Sequence, residues 1–133
     1  MMTDEQKELS QRRREEVVMV WVRSLRDASE TGRVGEKVID EETRDFFWGI
    51  APVVEEAAEA AQNGKETSIP LNDDPNTPRG YFYNSVYLRG DAYPIYRMIS
   101  NAVEVLSRGK MIMTMTIADK PEIRVSKVKS EKR

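Results

Sequence analysis

The sequence predicts an α+β fold: two N-terminal helices, the second kinked, then a small antiparallel sheet of about four strands with a third helix packed on it. Three observations carry this. Ile95, Met98, Ile99, Ala102, Val103 and Leu106 recur at helical spacing. Met111, Met113, Met115 and Ile117 alternate with Thr114 and Thr116, the period of a strand. Helix formers fill the chain as far as Gly64, whereas turn and strand formers dominate from Lys65 onward.

Thr3 or Asp4 can cap a first helix running to about Glu30, with Gly32 in the terminating role. Its first half is polar, and residues 1–12 are expected to fray or project. Its second half holds six consecutive apolar residues, Val17 to Val22. Six in a row point all round a helix axis, so one face cannot hold them. Burial on every side of a helix in a small domain implies a second copy of the chain, with Val17, Val18, Trp21, Val22 and Leu25 as its interface. Arg33–Ile39 reads as a connector, with a candidate edge strand through Val34 and Val38.

Asp40 caps the second helix, and Glu41, Glu42 and Asp45 complement its positive end. Gly49 and Pro52 predict a kink or a break near Ala51. Glu66–Leu71 is a short edge strand containing Pro70. The turn-rich run 72–80 leads into Arg79–Arg89, read as a strand ending at Gly90. Asp91 then caps the third helix, Ala92 to about Ser107. Lys110–Ala118 and Ile123–Val128 form a hairpin, and residues 129–133 a basic, frayed tail. No repeat or linker divides the chain, so 1–133 is expected to be one domain.

The chain has neither cysteine nor histidine. Disulfides, thiolate nucleophiles and the usual zinc sites are therefore excluded, together with the commonest general base near neutral pH. Only carboxylates, tyrosines and lysines remain for proton transfer, and they form no catalytic constellation in sequence, so no enzyme activity and no cofactor are expected. No apolar run approaches the ~20 residues of a membrane span, and the N-terminus is too polar for a signal peptide, so a cytoplasmic location without membrane contact is expected. Charge is segregated. Residues 40–74 hold ten acidic against two basic side chains, and residues 75–133 eleven basic against five acidic. Two surfaces of opposite potential follow if those charges stay exposed.

Two candidate binding surfaces emerge. As a strand, Arg79–Arg89 would present Arg79, Tyr81, Tyr83, Tyr87 and Arg89 on one face, and Phe82, Val86 and Leu88 on the other. Phenol rings stack on bases and guanidinium groups hold phosphates, so this face, helped by Arg124, Lys127 and Lys129, suits a nucleotide or single-stranded nucleic acid. Arg79-Gly80-Tyr81 resembles the start of the RNP1 signature of RNA-recognition motifs. Phe82, Asn84 and Val86 depart from that signature and the element order differs, so family membership is not inferred. The second surface is acidic, formed by Glu41, Glu42, Asp45, Glu55, Glu56 and Glu59 and facing a protein partner.

Asn72, Asp73, Asp74 and Asn76 are hard oxygen donors, but their spacing fits no calcium loop and Pro75 makes a structural turn the better reading. Glu55 and Glu59 lack the histidine partners of a helical metal site, so no metal is expected. Arg12, Arg13 and Arg14 adjoin Glu15 and Glu16 and are read as making intrahelical pairs. The leading reading is thus a non-catalytic regulatory protein, a homodimer or larger, acting through protein contacts. Its small size, segregated charge and lack of His and Cys resemble virus-encoded accessory proteins and inhibitors. The alternative is the nucleotide or nucleic-acid binder.

Overall fold

The structure, a computed structural model, describes residues 1–87, 92–116 and 119–129, with the side chains of Val86, Tyr87, Ala92 and Tyr93 left aside. The fold is α+β. Helix α1 spans Asp4–Thr31. The Thr3 hydroxyl accepts the Gln6 N–H while the Gln6 side chain accepts the Thr3 N–H, so two orphan donors are satisfied together. Gly32, at φ 72°, closes the other end by donating its N–H to the Ala28 carbonyl. The last turn of α1 has no basic residue of its own. Arg44 supplies one from across the fold, donating to the Ser29 and Glu30 carbonyls at 2.8 Å each.

A two-residue ribbon follows, β1 (Arg33–Val34) antiparallel to β2 (Lys37–Val38). Helix α2 (Glu41–Asn63) begins at Asp40, whose carboxylate accepts the Thr43 N–H at 2.8 Å. Of the kink or break expected near Ala51, the break does not occur. Pro52 sits inside one uninterrupted helix. A proline there costs about 3 kcal/mol, whereas burying a Val or Ile stabilises by about 1.5–3 kcal/mol. Ile50, Val53 and Val54 are all buried around it, which outweighs the lost hydrogen bond.

Three strands make the main sheet: β3 (Thr67–Pro70), β4 (Met111–Thr116) and β5 (Glu122–Lys127), in the order β3-β5-β4 and all antiparallel. Ile69, Met111, Met113, Ile123 and Val125 point into the core, and Ser68, Ile112, Thr114 and Arg124 point outward. Pro70 lies on an edge strand, where its missing N–H is not needed by a second neighbour. Helix α4 (Ala92–Leu106) buries Ile95, Ile99, Ala102, Val103 and Leu106, with α2 and the sheet as its neighbours. The expectations for Leu88, Arg89, Gly90, Asp91, Ile117, Ala118 and residues 130–133 fall outside the described residues.

The main correction lies at residues 78–87, which are helical. Pro78–Phe82 form a short helix, α3, and Tyr83–Tyr87 continue it as a wider π-helical turn. Among the described residues the main sheet therefore has three strands and not the expected four. The cause is upstream. The Asn72 side-chain carbonyl accepts the Asp74 N–H and the Thr77 hydroxyl, and the Asp74 carboxylate accepts the Asn76 N–H. That turn presents Thr77 as an N-cap, accepting the Gly80 N–H at 3.1 Å, with Pro78 at the first helical position. Cap and proline start a helix that the alternating pattern alone did not reveal. Gly80 is pressed against the turn: a Cβ there would collide with the Asp74 carbonyl. Asn84 then donates to the Gly80 carbonyl at 2.8 Å, satisfying an acceptor near the wider turn.

The first half of α1 is tied to the end of α4. Arg108, in the left-handed region at φ 56°, reaches Glu8 at 2.8 Å and Glu15 at 2.9 Å. Gln11 donates to the Val105 carbonyl at 2.9 Å. The Arg108 hydrogen bond is the main reason that the Glu8 and Glu15 carboxyls sit below the ordinary glutamate range. Residues 4–7 lie beyond this clamp and are exposed. Among the described residues no helix is long and apolar enough to cross a membrane.

Two outcomes follow. Gly80→Ala should lower unfolding stability by at least about 1–3 kcal/mol in urea titration, because backbone must move to admit the methyl group. An unchanged midpoint would contradict the packing of α3 on its turn. A carboxyl whose folded pKa is depressed contributes stability above its unfolded pKa, and that contribution vanishes as pH falls through the folded value. Stability should therefore drop on acidification below the glutamate range, and Arg108→Gln should shrink the drop. Asp40, held low mainly by its Thr43 hydrogen bond, and Glu122, held low mainly by Ser68, leave a residual slope in both proteins.

Candidate interaction surface

Helix α1 divides its apolar residues between two faces. Val18, Val22, Leu25 and Ala28 follow the i, i+4, i+7, i+10 spacing and are buried against the rest of the chain. Their neighbours Val17 and Val20 point away, at 69% and 61% exposure. Trp21 lies between the two faces, partly buried against the core. The run Val17–Val22 is thus half core and half surface. Val18, Val22 and Leu25, expected at an interface between copies, serve the intrachain core instead. Apolar companions on α2 and α4 provide the burial that the sequence alone left to a second chain.

On the outward side, α1 and α4 leave a groove of about 300 Å³. Val17, Val18, Trp21, Met98 and Ala102 line it, joined by the amide of Asn101. Met98 is 42% exposed, although its helical spacing marked it as core. An exposed Val and a flexible exposed Met beside a half-buried Trp form a surface suited to another apolar surface.

The Arg–Tyr row does not form. On a helix, Tyr81 turns to the side away from Arg79 and Tyr83, which lie one turn apart. Arg79 is held by Glu56 at 2.7 Å. Tyr81 stacks edge-on against Trp48, ring centres 6.0 Å apart, and fills the space that a side chain at Gly49 would need. Tyr83 packs against the core. The Tyr87 side chain and Arg89 lie outside the described residues. Arg124 pairs with Glu122 at 3.1 Å on the outer face of the sheet, and Lys127 and Lys129 are exposed at the end of β5. No flat phenol-and-guanidinium face assembles from the described members of this set, and the nucleic-acid reading loses its premise.

The acidic surface is smaller than expected. Glu55 forms a bidentate pair with Arg26 on α1, the closer contact 2.5 Å, and Glu56 is taken by Arg79. These two carboxylates brace α2 against α1 and α3. Glu41, Glu42, Asp45 and Glu59 remain exposed. Asn72–Thr77 is the structural turn described above, and among the described residues no three Asp or Glu side chains converge as a metal site.

Sequence reasoning missed Met98 and Trp48 as surface residues. Trp48 is 37% exposed beside Tyr81, Arg44 and Pro75, over a second groove of about 500 Å³. The available signal was Gly49: a glycine inside an apolar helix marks a close neighbour, here the ring of Tyr81. No family model matches the chain, and neither a curated protein nor a solved structure does.

The two faces of α1 should separate on mutation. Leu25→Ala should cost about 2–5 kcal/mol of stability, whereas Val17→Ala should stay within about 0.5 kcal/mol of the parent. Equal losses in thermal or urea unfolding would show that Val17 is buried too.

Proposed function

We propose that this protein is a non-catalytic interaction protein that self-associates and works through the outward face of α1 and the adjoining α4. The observation that carries this reading is the groove at which exposed Val17 and Met98 meet half-buried Trp21, with Val20 also exposed on α1. Isolated surface apolar residues need no explanation, but Val17, Trp21 and Met98 gathered at one groove do. The chemistry of the chain supports a binding role over a catalytic one. With no His and no Cys, the usual nucleophile and base pairs cannot be built. The exposed acids Glu41, Glu42 and Asp45 form a second, negative surface at the start of α2, suited to a basic protein partner. A cytoplasmic regulatory role fits a cysteine-free chain of this size.

Gel filtration coupled to light scattering tests the reading. The parent protein should exceed the monomer mass at high concentration. Val17→Glu should return it to the monomer without shifting the thermal midpoint measured at a dilution where the parent too is monomeric. A parent that stays monomeric throughout, and whose mass Val17→Glu leaves unchanged, contradicts it.

A further inference from the structure

We propose that the occupant of the α1 face is α1 of a second copy, laid antiparallel about a two-fold axis at Val20. This rests on the self-association reading above and fixes its geometry. The outward stripe of α1 reads Arg13, Val17, Val20, Ser24, Asp27, at spacings of four, three, four and three residues. That is the period of one helix seam packing on another. All five residues are exposed. The stripe is apolar at its middle, cationic at its N-terminal end and anionic at its C-terminal end.

Such a stripe complements itself in one direction. Arg13 and Asp27 each lie seven residues from Val20, so antiparallel pairing sets Arg13 of one copy opposite the partner's Asp27, twice by symmetry. Glu16 and Arg23 flank one edge of the seam, four residues before and three after Val20, and the same pairing brings Glu16 beside the partner's Arg23. Parallel pairing would place Arg13 against Arg13 and Asp27 against Asp27, which repel. None of these four charges makes an ion pair among the described residues, although Arg12, Arg26 and Arg108 around them all do. Ser24 is small, and its hydroxyl is already turned to the Trp21 carbonyl at 2.6 Å, so it permits close approach. Trp21 and Met98 wall the groove alongside.

Sedimentation equilibrium on charge-reversed chains tests the register. Arg13→Glu and Asp27→Lys, each alone, should weaken dimerisation at least about tenfold, because each reversal is felt at both symmetric contacts. An equimolar mixture of the two variants should regain parental affinity. In the mixed dimer the new carboxylate of one chain meets the new ammonium of the other, and the remaining Arg13–Asp27 pair is kept. Thermal midpoints measured at a dilution where all the chains are monomeric should be unchanged, which separates lost association from lost folding. A parental dimer indifferent to both reversals, or a mixture that fails to recover, overturns the antiparallel register and leaves self-association standing. A parent that is monomeric at millimolar concentration overturns both.

Discussion

Helix α2 is the constraint from which the other elements take their places. Nine of its residues are buried, Gly49, Ile50, Ala51, Val53, Val54, Ala57, Ala58, Ala60 and Ala61, so it has a covered face toward α1, α3, α4 and the sheet. A helix buried by so many neighbours needs small side chains, or the neighbours could not approach. The four alanines between 57 and 61 meet that need. Gly49 meets it more strictly, lying under the Tyr81 ring. The two carboxylates that α2 keeps near this packing, Glu55 and Glu56, are neutralised by Arg26 and Arg79, which brace the helices on either side.

With α2 covered, α1 is left with a divided role. It gives Val18, Val22, Leu25 and Ala28 to the common core and retains an apolar outward stripe for which the described residues supply no cover. Its ends are secured from outside its own sequence, by Arg44 at the C-terminal carbonyls and by Arg108 at Glu8 and Glu15. Both are long-range contacts that hold the helix as a fixed, presented edge. A surface so fixed loses little conformational entropy when a partner docks, which favours binding.

Much of the fold was legible because periodicity is a short-range signal. The caps Thr3, Asp40 and Gly32, the helix through Met98 and Val103, and the methionine alternation in β4 all came from residues that lie close in sequence. What was not legible depended on distant partners. Tyr81, Tyr83 and Phe82 fit an alternating strand pattern, yet the Asn72–Thr77 turn had already fixed a helix start at Pro78. Pro52 carried a local break signal that the burial of its neighbours overrode. The run Val17–Val22 showed that one helix face was too small for its apolar residues, but not that α2 and α4 would cover part of them. The charge count over residues 40–74 overstated the acidic surface, because composition does not show that Glu55 and Glu56 are matched by arginines elsewhere in the chain.

The absence of cysteine gives a direct probe of the self-contact, because one introduced thiol is the only thiol. Val20→Cys places that thiol at the proposed two-fold axis, where the copies bring two sulfurs together within disulfide reach. Mild oxidation at a protein concentration where the dimer is populated should convert it to a covalent dimer that non-reducing electrophoresis resolves, far faster than Val38→Cys on the β2 ribbon. Equal, slow cross-linking of the two variants would contradict a contact centred on α1.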